Sequence, residues 1–300
     1  MLAIVIPYFK RTFFEATLAS LSSQTDQRFK VYIGDDASPE DPADLLEKYK
    51  GKFDFIYHRF EDNLGSTSLT QQWERCIALS GNEEWIMILG DDDILGDDVV
   101  EKFYEHYDKF NLISNLVRYA TIVLNDQTNL KSDLFLHPTL ENGLEFFIRK
   151  LKGHTRSSLS EYFFRRELYI KHHFVSYPSA FYSDDRAWID FSDHKPIYSI
   201  NESIVYIRIS DYSLSGGKNL LFLNKAELEY LKYFFYNRLK YFSKIERIFF
   251  LKKMENSLYK NKIKNIALWI TLYFRFFENF QKAEIIKFHK RLIKAVLKIN

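Results

Sequence analysis

Short apolar runs alternate with amphipathic stretches over the first hundred residues. Leu2–Ile6, Phe29–Ile33, Phe53–His58 and Trp85–Leu89 read as strands, the first and last with the length and residue types of buried ones. Pro7 is expected to stop the first of them. The stretches between carry apolar residues at helical spacing. Thr12–Gln24 reads as a helix capped by Thr12, and Pro42–Tyr49 as a short one with Asp41 as cap and proline in its first position. Ser66–Ser80 reads as a third, with Leu69, Trp73, Cys76 and Ile77 inward. This alternation predicts parallel strands joined by right-handed crossovers.

The pattern loosens further on. A helix is expected over Asp97–Phe110, one or two strands within Leu112–Leu124, a helix over Glu141–Lys152 and a strand at Glu161–Phe164. Tyr182–Trp188 opens another helix with Asp184 and Asp185 at its N-terminal end, where negative charge is favoured. Pro196–Ile209 is expected to hold two short strands, followed by a polar, glycine-containing loop to Lys218. From Leu220 onward the segments are long and helical, for example Ala226–Phe242, Ile245–Lys260 and Glu284–Lys298. No internal repeat is visible. The reading is of an α/β domain over 1–218 and a helical region over 219–300.

Charge sharpens that division. The net charge of the 300 residues is +2, but 219–300 holds 18 Lys and Arg against 6 Asp and Glu, leaving 24 against 34 in the rest. Opposite signs suggest two jobs. The composition is globular, with 46% hydrophobic and 17% aromatic residues, which excludes a disordered chain. Cys76 is alone, so no disulfide forms within the chain and a reducing compartment is expected. No secretory signal is expected, because an apolar strand pattern begins at Leu2, and no apolar run nears the roughly 20 residues that span a bilayer. His172, His173 and His194 have no partners at zinc spacing.

The chemistry gathers at strand ends. Trp85–Leu89 runs into Gly90 and three consecutive acids, Asp91, Asp92 and Asp93. The second strand ends in Asp35 and Asp36. In a parallel sheet both sets reach the carboxyl edge, where open α/β sheets bind ligands. Adjacent carboxylates repel, and tolerate one another when solvated, when one is protonated, or around a divalent cation. An acidic triplet by itself is as much a solvated turn as a metal site. A carboxylate beside a base accepts from a ring N–H, whereas one beside a diphosphate acts through a hard cation that takes oxygen ligands. Asp184 and Asp185 form a third acidic pair, suited to deprotonating a hydroxyl.

Five stretches carry a resemblance in register: Ile4–Phe9, Ser22–Thr25, Val31–Ser38, Asn63–Gly65 and Gly90–Leu95. Together they resemble a family 2 glycosyltransferase, closely over about 1–100 and more loosely to about 218. The resemblance implies a GT-A, Rossmann-like fold, with a mixed, mostly parallel sheet flanked by helices and a C-terminal helical extension. It implies that Pro7 and Tyr8 line a nucleotide pocket and that Asp36, helped by Asp35, contacts the base. Asn63 and Gly65 would close over base and ribose, with Gln72 following on the helix. Asp91 would face ribose or metal, and Asp92, then Asp93, would hold Mn²⁺ or Mg²⁺. Asp185 matches the acid that acts as the base of a single inverting displacement. Arg208, with Ser213 and Ser215, would hold phosphate. The chain departs from the family's pattern at Gly90, at Thr70-Gln71 and at Ser210, where an acid, Arg-Asn and His are common.

The implied donor is a nucleotide sugar, foremost a UDP-sugar, and the implied acceptor a saccharide or lipid-linked hydroxyl. The setting is bacterial surface polysaccharide synthesis at the cytoplasmic face of the membrane. The basic, aromatic region reads either as packing or as an element for an anionic membrane surface; no nucleic-acid partner is expected. Two other classes compete. A nucleotidyltransferase needs a glycine-rich phosphate loop after the first strand, which Pro7–Arg11 lacks. A non-catalytic, membrane-docked binding protein has no use for acids at three separate motif positions.

Overall fold

The computed structural model describes residues 1–211 and 220–297. By internal packing the chain divides into two units, one of 1–176 with 183–218 and one of 177–182 with 219–300.

The first unit is built on one sheet. Its strands are β1 (Leu2–Tyr8), β2 (Phe29–Asp35), β3 (Phe55–Arg59), β4 (Trp85–Ile88), β5 (Ile94–Leu95), β6 (Leu116–Asn125), β7 (Leu130–Lys131), β8 (Leu140–Glu141), β9 (Tyr162–Arg165) and β10 (Ile197–Ile209). The order along the main path is β3-β2-β1-β4-β9-β6-β10-β5, with β7 on β6 and β8 on β10. The four strands read as a crossover series are parallel neighbours. β9 breaks that series by pairing antiparallel to both β4 and β6. Sequence periodicity carries no sign of this, because a four-residue buried strand looks alike in either direction.

Helices α1 (Phe14–Ser22), α2 (Ala43–Tyr49), α3 (Leu69–Ile77), α4 (Val99–Phe110), α5 (Gly143–Leu151), α6 (Arg166–His172) and α7 (Ser183–Ser192) complete the unit. Ser68 caps α3 by accepting from the Gln71 N–H, and Asn142 with Glu145 forms a capping box on α5. Thr12 caps nothing: α1 starts after Phe13 without a side-chain cap. Asp41 accepts from the Ala43 N–H at 2.9 Å, but the cap position of α2 is Pro42, which the sequence placed inside the helix.

Pro7 does not end β1. It pairs with Gly34, and the strand continues to Tyr8 opposite Asp35. The two short strands expected within Pro196–Ile209 are one 13-residue strand, whose pairing with β6 shifts register between Ile200 and Ile204. The polar residues Asn201–Ser203 fall within that irregularity. Leu2, Ile4, Val31, Ile33, Trp85, Met87, Phe103 and Phe163 form part of the core under the sheet. Trp85 packs edge-on against Phe103 and Phe110. Burying each such side chain contributes roughly 1.5–3 kcal/mol; replacing Met87, which has no exposed surface, by Asp would strand a charge there.

The second unit holds α8 (Leu220–Asn237), α9 (Lys244–Lys260), α10 (Ile266–Asn279) and α11 (Lys282–Leu297). α10 lies within the region expected to be helical, between the segments named as examples. Tyr182 stacks on Tyr230 at 5.1 Å, and Phe276 stacks on Phe280 and Phe288 at 4.2 Å. Among the described residues no helix is long and apolar enough to cross a membrane.

Candidate active site

Parallel pairing of β1, β2 and β4 brings three strand ends to one edge. Asp91, Asp92 and Asp93 follow β4 directly, and Asp93 turns back so that its N–H donates to the Gly90 carbonyl at 3.2 Å. The three carboxylates have different surroundings. Asp91 Oδ2 accepts from the backbone N–H groups of Phe9 at 2.7 Å and Lys10 at 2.8 Å, which ties the loop after β1 to the acids. Asp93 is 6% exposed and both its oxygens are taken: Oδ2 by the Ser160 hydroxyl at 2.5 Å, Oδ1 by the Arg208 N–H at 2.8 Å. The Asp92 carboxylate, partly open to solvent, accepts from its own backbone N–H and from no other residue among the described ones.

Electrostatics follow from that packing. Burial pushes Asp91 up to about 6 against the pull of the Lys10 and Phe9 N–H groups. Burial, then repulsion from Asp93 and Asp91, pushes Asp92 up to about 8. Asp93 is raised by burial too, against its bonds from Ser160 and Arg208. A cation beside Asp92 would relieve this cost. Among the described residues no three His, Cys, Asp or Glu side chains converge as a protein-only metal cage. Mg²⁺ does not need one, since it is commonly held by one or two carboxylates, water and substrate phosphates. An all-oxygen set with one open carboxylate fits Mg²⁺ or Mn²⁺.

Asp35 and Asp36 are both committed. Asp35, with no exposed surface, accepts from the Ser38 N–H at 2.7 Å, the Tyr57 hydroxyl at 2.5 Å and Arg59 Nη1 at 2.8 Å. Asp36 accepts from the N–H groups of Leu64 at 2.8 Å and Gly65 at 2.9 Å and pairs with Arg75. It thereby pins the Asn63–Gly65 turn over the end of β2. Burial is the largest influence on Asp36 and raises it, while Gly65 and Arg75 pull it down. Gly65 has to be glycine at this approach: a Cβ there would lie 2.5 Å from Asp36 Oδ2. Asn63 Oδ1 accepts from the Ser66 N–H at 2.9 Å, forming a local turn.

Pro7 and Tyr8 end β1 beside Asp35, and the Tyr8 hydroxyl donates to the Glu40 carbonyl at 2.6 Å. Burial raises that phenol above its ordinary value. Gln72 is 1% exposed, donates to the Gly34 carbonyl at 3.3 Å and accepts from Arg75, so its amide belongs to the wall behind β2. Arg208 lies under the triplet: Nε donates to the Asp92 carbonyl at 3.1 Å, Nη1 reaches Asp126, and the guanidinium stacks 4.1 Å from the Phe13 ring. Ser213 and Ser215 lie outside the described residues.

Asp185 opens α7, and its side chain is 3% exposed. Oδ2 pairs with the Lys150 ammonium, while Oδ1 is buried with no hydrogen-bond partner. Asp184, beside it and partly buried, is pushed up to about 7 by burial and then by the Asp185 charge. The turn at Leu159–Glu161 links the two acidic groups. Ser160 bonds Asp93 and also accepts from the Gly90 N–H at 2.9 Å, while Glu161 lies close enough to add to the rise at Asp184.

Sequence reasoning missed Arg75, Lys150 and Ser160. Each meets its acid only through tertiary folding, across 39, 35 and 67 residues. Arg75 had one local signal, its place one turn after Gln72 on the helix face carrying Trp73 and Cys76. A buried network nearby was equally unsignalled: Arg118, with no exposed surface, donates to Glu141 at 2.9 Å and Glu141 also pairs with Arg149 at 2.7 Å.

Solved structures share this architecture. Residues 1–349 of TarS from S. aureus in complex with UDP-GlcNAc match with a TM-score of 0.65 over 98% of this chain and 81% of that one, at 14% identity. The same TarS portion in complex with UDP matches at 0.64, over 99% and 87%, at 14% identity. Against the larger S. aureus TarS structure the TM-score is 0.64 at 13% identity, with 99% of this chain covering 53% of that one. At these identities the likeness concerns the fold, which is of the GT-A type. A sequence comparison with curated proteins finds no significant match. The sequence pattern of glycosyl transferase family 2 matches residues 3–186, more than half of the chain. With that pattern laid over a parallel sheet edge bearing the three acids, the protein belongs to glycosyl transferase family 2 and is a glycosyltransferase.

Proposed function

We propose that the protein moves a sugar, with inversion, from a nucleoside-diphosphate sugar to a hydroxyl of a saccharide or lipid-linked acceptor, using Mn²⁺ or Mg²⁺. A UDP-sugar is the favoured donor, since the TarS structures of the same fold hold UDP-GlcNAc and UDP. The observation that carries the reading is the unequal use of the triplet, with Asp91 and Asp93 spent on backbone and side-chain donors and Asp92 open. Asp92 would hold the metal, which when bound neutralises charge on the diphosphate leaving group. Asp93 and Arg208 fix the acidic turn, and Asp91 fixes the loop after β1.

Asp185 serves as the base. Its carboxylate takes the proton of the acceptor hydroxyl while that oxygen bonds to the anomeric carbon. The bond from that carbon to the diphosphate breaks, and its electron pair leaves with the nucleoside diphosphate. Pro7, Tyr8, Asp35, Asp36, Asn63, Gly65 and Gln72 form the nucleotide wall, chiefly by holding the Asn63–Gly65 turn and the end of β2 in place. The setting is surface polysaccharide synthesis, with the protein peripheral on the cytoplasmic face of the membrane and the basic 219–300 region turned to it.

The test is Asp185→Asn. The variant should keep UDP binding, read by thermal shift, and lose transfer by about 10²–10⁴-fold. Full transfer activity in Asp185→Asn overturns the assignment.

A further inference from the structure

α10 is apolar on two separate faces. Leu268, Trp269, Leu272 and Phe276 point inward and are at most 4% exposed. Ile266, Ile270, Phe274 and Phe277 point outward at 56%, 48%, 60% and 65% exposure. At 3.6 residues per turn these four fall within about 80° of arc, a continuous outer stripe. Thr271, Arg275 and Glu278 separate the two faces on one side. A helix packed on one side normally turns polar residues to water on the other. Contiguous apolar surface on the outside marks an interaction site.

What covers it is indicated by charge. Asn219–Asn300 carries 18 basic and 6 acidic residues. Lys262 and Lys264, exposed and without ion pairs among the described residues, immediately precede the stripe, and exposed Lys282 follows it. The 14 residues of α10 reach about 21 Å, short of the ~30 Å hydrocarbon core, so the helix cannot span. An apolar stripe on a short helix, with lysines at both ends, suits the plane of an anionic bilayer interface.

We propose that the outer face of α10 is the membrane-docking surface, with Ile266, Ile270, Phe274 and Phe277 entering the headgroup boundary of an anionic bilayer and Lys262, Lys264 and Lys282 meeting its phosphates. This deepens the peripheral-membrane part of the proposed function and stands apart from its sugar chemistry.

The experiment is co-sedimentation of the full chain with phosphatidylcholine vesicles, pure or carrying about 30 mol% phosphatidylglycerol. Binding is expected only with the anionic lipid, and it should weaken at about 0.5 M salt. The variant Ile270→Glu/Phe274→Glu should lower it at least tenfold while keeping its far-ultraviolet dichroism and the UDP-induced thermal shift. Equal sedimentation of the variant and the native protein overturns the proposal, as does no binding by the native protein. It is also overturned if the native protein is a dimer that the double substitution splits while neither form binds vesicles, which would make the stripe a contact between copies. Loss of UDP binding in the native protein would count against the nucleotide-sugar reading and leave the docking result standing.

Discussion

The Ser160 hydroxyl donates a 2.5 Å hydrogen bond to Asp93 Oδ2. With the Arg208 N–H on the other oxygen, Asp93 becomes a structural pin of the acidic turn. Asp92, one residue before it, makes no such bond to either group and is the acid proposed to hold the cation. Asp92→Asn is therefore expected to keep or gain stability, because burial and both neighbouring carboxylates already disfavour its ionised form. It should abolish the extra thermal shift that Mn²⁺ adds to UDP. Asp93→Asn should instead lower stability by about 1–3 kcal/mol, since its amide cannot accept from both donors. Chemical denaturation beside a Mn²⁺/UDP thermal-shift titration separates the two; the reverse pattern would place the metal on Asp93.

Lys150 holds Asp185 Oδ2 in a buried pair. Lys150→Met leaves that carboxylate without its cation. Fully buried pairs cost about 3–5 kcal/mol to break, and the partly exposed lysine brings the expectation to about 2 kcal/mol. Transfer should fall at least tenfold with UDP affinity unchanged, and Lys150→Arg should recover part of it. A drop in UDP affinity with unchanged kcat would remove Lys150 from the acceptor side of the reaction.

Asp184 stands at about 7 in the folded protein, well above its ordinary value of 3.8. The folded state therefore binds more protons than the unfolded one between these values, and stability falls as pH rises from about 4 to 7. Partial solvent access holds the effect to about 1–2 kcal/mol. Asp184→Asn should flatten that slope, so the variant gains on the native protein at pH 8 relative to pH 5. Denaturation midpoints at the two pH values measure it; parallel changes in both proteins would refute the assignment.

Gly65 tests the nucleotide wall. In Gly65→Ala the new Cβ meets Asp36 Oδ2 at 2.5 Å, so the Asn63–Gly65 turn must move. A loss of about 1–3 kcal/mol in stability and roughly tenfold in UDP affinity is expected. Calorimetric UDP titration decides: unchanged affinity would mean that this turn does not border the nucleotide.

The parallel half of the fold was legible because each of its strands is a short apolar run followed by a helical repeat. Trp85–Leu89 and the acids behind it could be placed at a sheet edge from the sequence alone. The antiparallel β9 was not legible, since its direction is decided by partners β4 and β6 rather than by Tyr162–Arg165 itself. The bounds of α10 were not legible either, although it lies in the region read as helical, because its two apolar faces blur the helical period. Within the candidate site, the acids were visible as motifs. Their individual states depended on Ser160, Arg208, Arg75 and Lys150, which no local spacing ties to them.

The pinning of Asp93 also bears on how the protein is made. Its two donors lie 67 and 115 residues later in the chain. A nascent polypeptide emerging from the ribosome carries every nucleotide-edge motif by Leu95 and still lacks the clasp that shapes the acidic turn until Arg208 has been synthesised. Closing contacts at such separation is slow. Competence for catalysis should consequently arrive late and abruptly during biosynthesis, and a translation arrest before β10 would yield a chain with its signature residues and no working edge.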